Sequence, residues 1–218
     1  MKESNIKKIN TIAYGSIYYA KKQNLYIFVP FESEYPLKYW LKLLNEANGL
    51  AVIGTRSPLP ETILKADTII HKAWNNNKYK YIISGGAKGC DSLAENWAYK
   101  NNINFIKVAP AHLYADTCTP TKYITSVNSS KSIVISTRLK VSSARFKQAL
   151  VKRNFYIAYY AKTVLSLQTP LQSGTNITLF HAFSLSRDII FPKILLKHPM
   201  NKGARKLVKH QIGAYMSI

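Results

Sequence analysis

The sequence predicts an α/β protein with a doubly wound, mostly parallel sheet covered by helices on both faces. Two observations lead there. From Leu50 onward, short apolar runs alternate with amphipathic stretches of helical period, the pattern of parallel strands joined by crossover helices. A glycine-rich turn, Ser84-Gly85-Gly86-Ala87-Lys88-Gly89, joins one such run to the next helix. That is where a Rossmann-like sheet admits a phosphate.

In the first 35 residues only Leu25-Tyr26-Ile27-Phe28-Val29 reads as a strand, stopped by Pro30. Residues 36–48 predict a helix, with Leu37, Trp40, Leu41, Leu44 and Ala47 on one stripe and Gly49 able to cap it. Leu50–Gly54 is an apolar run ending in glycine, as a buried parallel strand should be. Residues 60–75 repeat a helical stripe through Ile63, Ala66, Ile70, Ala73 and Trp74, read as core. Strands at Tyr81–Ile83, Asn104–Val108 and Ser132–Ser136 follow, with a helix at Asp91–Lys100 whose Leu93, Ala94, Trp97 and Ala98 point inward. A helix over 144–161, a strand at Thr163–Leu167, a helix at Thr175–Ser186 and a strand at Asp188–Phe191 complete the series.

The formal charge is +21, and it is uneven. Residues 1–116 hold 15 Lys/Arg against 9 Asp/Glu, whereas residues 117–218 hold 16 against the single acid Asp188. A solvated surface normally mixes signs, so this half reads as an electropositive face for a polyanionic partner. Compositional drift toward Lys, Asn and Ile accounts for the cations, less well for the loss of acids. Cys90 and Cys118 form neither a pair nor a metal-ligand spacing, which suits a reducing cytoplasm. The histidines 71, 112, 181, 198 and 210 are scattered without a ligand pattern, so no metal site is expected, and the reading includes no cofactor. No apolar stretch reaches membrane-spanning length, since Lys162 interrupts Phe155–Leu167, and the first residues lack the apolar core of a signal peptide.

Ligands of open α/β sheets bind at the carboxyl ends of the strands. Three such ends carry small or polar residues: Gly54-Thr55-Arg56-Ser57, Ser84–Gly89 and Ser173-Gly174-Thr175. Glycines 85, 86 and 89 let the backbone turn tightly and bring N–H groups toward an anion, while Arg56 and Lys88 supply charge. The turn lacks both the G-x-G-x-x-G spacing and a P-loop, so a loop that only permits close strand–helix packing explains it as well when it is taken alone. Asp91 fits a helix cap or first-turn charge, or a ligand contact, and no second acid or histidine completes a catalytic set. Glu95 reads as a solvated or paired surface charge. Arg138, Lys140, Arg145, Lys147, Lys152 and Arg153, interleaved with Phe146, Phe155 and Tyr156, suit single-stranded nucleic acid, or else a solvated helix face with its aromatics in the core.

Several segments in order resemble the DNA-processing protein A (DprA/Smf) family: Glu34-Tyr35-Pro36, Val52-Ile53-Gly54-Thr55-Arg56, Ile83 through Ala94, Phe146 with Lys152-Arg153-Asn154, Ser173-Gly174-Thr175 and Phe191-Pro192. The resemblance spans residues 35–192 and implies an extended Rossmann fold that binds single-stranded DNA in a basic pocket, without catalysis. It also implies homodimers, delivery of DNA to a RecA-type recombinase, and roles in recombination and natural transformation. The residues it carries to the pocket are Arg56, Ser84, Gly85, Lys88, Gly89, Lys152, Arg153, Asn154, Ser173, Gly174 and Thr175, beside Gly54 and Gly86 read from the turns. Two positions depart from the pattern: Cys90 stands where the family has Ile, and Glu95 where it has His. The chain divides into an N-terminal extension of unclear structure (1–35), a DprA-like Rossmann domain (36–192) and a basic C-terminal tail (193–218). The rival reading is a nucleotide sensor or phosphoribohydrolase-like enzyme of the same Rossmann group. Its P-G-G-x-G-T-x-x-E motif is broken here by Ser84, Cys90 and Leu93.

Overall fold

The computed structural model describes residues 6–12, 14–111, 130–139 and 141–217. Expectations that fall on His112, Cys118 and Lys140 lie outside the described residues. One ten-stranded sheet runs through the chain in the order β1-β2-β3-β7-β6-β5-β4-β8-β9-β10. Its strands are β1 (Ile6–Ile12), β2 (Gly15–Ala20), β3 (Leu25–Pro30), β4 (Gly49–Gly54), β5 (Tyr81–Ser84), β6 (Phe105–Ala109), β7 (Ser132–Ser136), β8 (Ala161–Gln168), β9 (Asp188–Pro192) and β10 (Ala214–Met216). From β7 to β10 every neighbouring pair is parallel, and β1, β2 and β3 add antiparallel strands at one edge. The doubly wound α/β class is what the chain adopts.

Among the described residues six α-helices cover the sheet: α1 (Leu37–Glu46), α2 (Pro60–Asn75), α3 (Cys90–Lys100), α4 (Phe146–Tyr159), α5 (Gly174–Ser184) and α6 (Lys202–Lys209). Because strand side chains alternate, β4 feeds both cores at once. Ala51 and Ile53 join Trp40, Leu41 and Leu44 of α1, Ile157 of α4 and Leu179 of α5. Leu50 and Val52 join Ala66, Ile69 and Ile70 of α2 and Ala94 and Trp97 of α3. The inward face of α2 is shifted from the expected stripe. Ile63 is about half exposed, and buried Thr62 replaces it, its hydroxyl donating to Gln168 Oε1 at 2.9 Å.

Neither end of the described residues stands apart from the sheet. Strands β1 and β2 pair antiparallel, and β2 pairs onto β3. Residues 193–217 contribute α6 and β10; Ala204, Leu207 and Met216 are buried, and Tyr215 pairs in register with Phe191.

The chain order sets the place of the site. From β4 the sheet grows through β5, β6 and β7 on one side and through β8, β9 and β10 on the other. A crevice therefore opens at the carboxyl ends of β4, β5 and β8, where the winding reverses.

Candidate functional site

A cleft of about 450 Å³ occupies that crevice. Gly54, Thr55 and Arg56 form its β4 wall, Ala87 and Asp91 its β5–α3 wall, and Ser173, Gly174 and Thr175 its α5 wall. Helix α4 closes the fourth side with Lys147, Leu150, Val151, Arg153 and Asn154. The charged groups are three cations, Arg56, Lys147 and Arg153, against one carboxylate, Asp91.

The glycine turn shapes this cleft through its backbone. Gly86 and Gly89 have φ of +66° and +84°, which L side chains rarely adopt. At Gly86 a Cβ would press on the Lys107 methylenes at 2.8 Å, and at Gly89 it would meet the Thr55 and Arg56 carbonyl oxygens at 2.5 Å. Gly85 leaves room for the guanidinium of Arg153, which lies over its α-carbon. Two amides of this segment have partners within the protein: Ala87 N–H donates to Asp91 Oδ2 (3.1 Å), and Cys90 N–H to the Thr55 carbonyl (3.1 Å). The turn therefore serves as the seat of Arg153 and Asp91 more than as a bare amide cradle. Ser84 is fully buried and its hydroxyl donates to the Val52 carbonyl at 2.7 Å, tying β5 to β4.

Arg153 and Asn154 join the two glycine-bearing loops. Arg153 Nη1 donates to Asn154 Oδ1 (3.2 Å) and lies 3.9 Å from Asp91 Oδ2, with both side chains largely buried. Asn154 Nδ2 donates to the Gly174 carbonyl at 3.3 Å. Burial pushes the Asp91 carboxyl above the ordinary carboxylate range, opposed first by Arg153 and then by the Ala87 amide, the Ser84 hydroxyl and Arg56. Cys90 packs its sulfur where a Gly54 Cβ would be, and burial raises its thiol to about 12, so it stays protonated.

Lys88 is exposed on the turn and Lys152 on α4, and neither lines the cleft. Arg138 and Arg145 are exposed outside it as well. Phe155 and Tyr156 pack edge to face at 5.4 Å, with Phe155 also against His181, in a cluster between α4 and α5. Of the two readings of Glu95 the paired one holds, since it meets the ammonium of buried Lys107 at 2.6 Å beneath the turn.

Two sets of residues escaped the sequence reading. Leu150 and Val151 share one helical face with Asn154 and with Lys147 of the basic cluster through the i, i+3, i+4, i+7 spacing, a legible signal. Asn201 and Gly203 brace the loop after β8 from behind. Asn201 Oδ1 accepts from Thr169 N–H (2.8 Å), and a Cβ on Gly203 would strike the Thr169 and Pro170 carbonyls. No local pattern announces that contact.

Among the described residues, no group of His, Cys, Asp and Glu could hold a metal, and no helix is long and apolar enough to cross a membrane.

The profile of one family, DNA recombination-mediator protein A, matches residues 38–218. Among solved structures, DNA processing protein A from Helicobacter pylori, described for its single-stranded DNA binding mode, superposes with a TM-score of 0.64 at 19% identity. That match covers 96% of this chain and 90% of the other. DNA processing protein A from Streptococcus pneumoniae superposes with a TM-score of 0.66 at 21% identity over 88% of this chain. The chain spans 62% of the pneumococcal protein's length. At these identities the superpositions speak for the fold. No curated protein sequence matches.

Proposed function

We propose, from the premise that this chain belongs to the DNA recombination-mediator protein A family, that it binds single-stranded DNA through its phosphates in the cleft at the ends of β4, β5 and β8. The family is a class of DNA-binding, non-enzymatic proteins engaged in DNA processing. The observation that carries the proposal is the convergence of Arg56, Lys147 and Arg153 with the amino end of α5 in one cleft. Cations and a helix N-terminus both favour phosphate there. The apolar faces of Leu150, Val151 and Ile177 on the same walls suit the flat face of a base or a sugar.

The test is a fluorescence-anisotropy titration of labelled oligothymidylate at two salt concentrations. Three phosphate contacts at a single strand predict a slope of log K against log salt of about −2. Exposed Arg56 holds no core in place, so Arg56→Ala should weaken binding roughly tenfold without lowering the melting temperature. Salt-independent binding, or an Arg56→Ala variant that binds like the wild type, would overturn the proposal. Competition by a nucleoside monophosphate at micromolar levels would favour the nucleotide-sensor reading instead.

The family resemblance extends the proposal to homodimers and to handover of DNA to a RecA-type recombinase in transformation, and the unpaired cysteine spacing adds a reducing cytoplasm. The apolar side chains that α5 leaves exposed outside the cleft, Phe180 and Phe183, support self-association. Sedimentation of the wild type against Phe180→Glu tests it: a dimer that the charge splits is expected, and a wild-type monomer refutes it.

A further inference from the structure

Asp91 is the one carboxylate among the residues that line a cleft otherwise charged by Arg56, Lys147 and Arg153. Its position in the first turn of α3 would let it cap the helix, but its Oδ2 reaches back to the Ala87 amide and sits 3.9 Å from Arg153 Nη1. Arg153 is thus held on three sides: by the flat seat at Gly85, by Asn154 Oδ1 and by the Asp91 carboxylate. A phosphate gripped by Arg153 would be a second anion in the same poorly solvated space, and like charges so placed disfavour each other's ionised form.

Resting on the phosphate-site reading above, we infer that Asp91 is a positioning residue for Arg153 and an internal counter-anion that a nucleic-acid phosphate must compete with. It keeps the guanidinium aligned across the cleft while partly neutralising it. Asp91 therefore tunes the strength and pH dependence of binding without touching the nucleic acid.

The groups that face Asp91 are Arg153 from α4, the Ala87 amide from the turn, the Ser84 hydroxyl from β5 and Arg56 from the β4–α2 loop, with the protonated Cys90 thiol beside it. Burial already lifts its carboxyl, and an incoming phosphate lifts it further, so binding takes up a proton. Affinity should accordingly rise as pH falls through the range in which Asp91 titrates.

The experiment compares wild type, Asp91→Asn and Arg56→Ala by anisotropy with oligothymidylate, whose bases do not titrate between about pH 5 and pH 8, the span in which histidine is otherwise the group that changes charge. Asp91→Asn should bind roughly three- to tenfold more tightly at neutral pH, since its substitution removes one competing charge. Its salt slope should steepen by up to about 0.7 as Arg153 gains full use of its charge. Its affinity should also lose the rise toward low pH that wild type and Arg56→Ala share. A merely structural carboxylate would change the melting temperature and leave the salt slope and pH profile alone. Equal or weaker binding by Asp91→Asn at an unchanged melting temperature refutes the inference and makes Asp91 a direct ligand contact or a bystander. Should Asp91→Asn fail to fold, the profiles of wild type and Arg56→Ala decide, because affinity that is flat or falls toward low pH in both refutes it equally. If Arg56→Ala binds normally, the cleft reading has failed; if only the Asp91 effects are missing, the inference alone has.

Discussion

The guanidinium of Arg153 lies so close over the α-carbon of Gly85 that a Cβ there would overlap Nη1 and Cζ and stand 2.8 Å from Nη2. The glycine is required by its neighbour, since its φ lies outside the left-handed region that Gly86 and Gly89 occupy. Gly85→Ala is therefore permitted by the backbone and acts by pushing aside the flexible end of one side chain. We expect a stability change within about 1 kcal/mol and a loss of oligonucleotide affinity of roughly tenfold, the worth of one charge-assisted phosphate contact. Denaturant unfolding and anisotropy on the same preparation check this. Unchanged affinity would mean that Arg153 is not a phosphate ligand.

Gly174 presents the opposite case. A Cβ added at this first residue of α5 meets nothing within 4 Å, and its φ is ordinary, so neither packing nor backbone asks for glycine. What glycine leaves open is space in the cleft. Gly174→Ala should hold or raise stability, by up to about 1 kcal/mol from helix propensity, while Gly174→Leu should weaken DNA binding severalfold. A leucine variant that binds like wild type would put the ligand elsewhere.

The contrast shows what was legible in the sequence. From β4 onward the strands announce themselves because both faces are buried, so Leu50–Ile53 and Ser132–Ser136 read as unbroken small and apolar runs. Strand β1, Ile-Lys-Lys-Ile-Asn-Thr-Ile, is largely exposed and pairs only at an edge, so no burial pattern marks it. At the other end, the buried Ala204, Leu207 and Met216 are scattered among cations that make the segment read as a tail. In the site, helical phase separates Arg153 from Lys152, two neighbours that a motif treats alike. The brace of Asn201 on Thr169 joins residues far apart in sequence, so only the folded chain reveals it.

Cys90 stands where the family resemblance expects Ile, and its environment treats it as a small apolar group. It is fully buried under Gly54, with burial and then Asp91 raising the thiol to about 12. Thiolate is the reactive form, so at about pH 8 this cysteine should resist iodoacetamide in the native state. In a Cys118→Ser background, labelling should appear only along the denaturant unfolding curve. Rapid labelling of the native protein would contradict the packing of α3 against β4.

Glu95, the second departure, is matched by a partner that the motif does not include. Its carboxylate meets Lys107 at 2.6 Å, and Lys107 is almost wholly buried, with Gly86 resting on its methylenes. Removing one member of a buried pair leaves the other charge desolvated, whereas replacing both by neutral groups of similar volume does not. Glu95→Gln alone should destabilise the protein by about 2–3 kcal/mol, below the roughly 3–5 kcal/mol typical of a fully buried pair because Glu95 is partly exposed. Glu95→Gln with Lys107→Met should recover most of that loss, a coupling that a double-mutant cycle in urea measures directly. Because the ammonium lies under the glycine turn, the single variant should also loosen Gly86 and weaken DNA binding, and the double variant should restore both. Additive losses would show that the two side chains act independently.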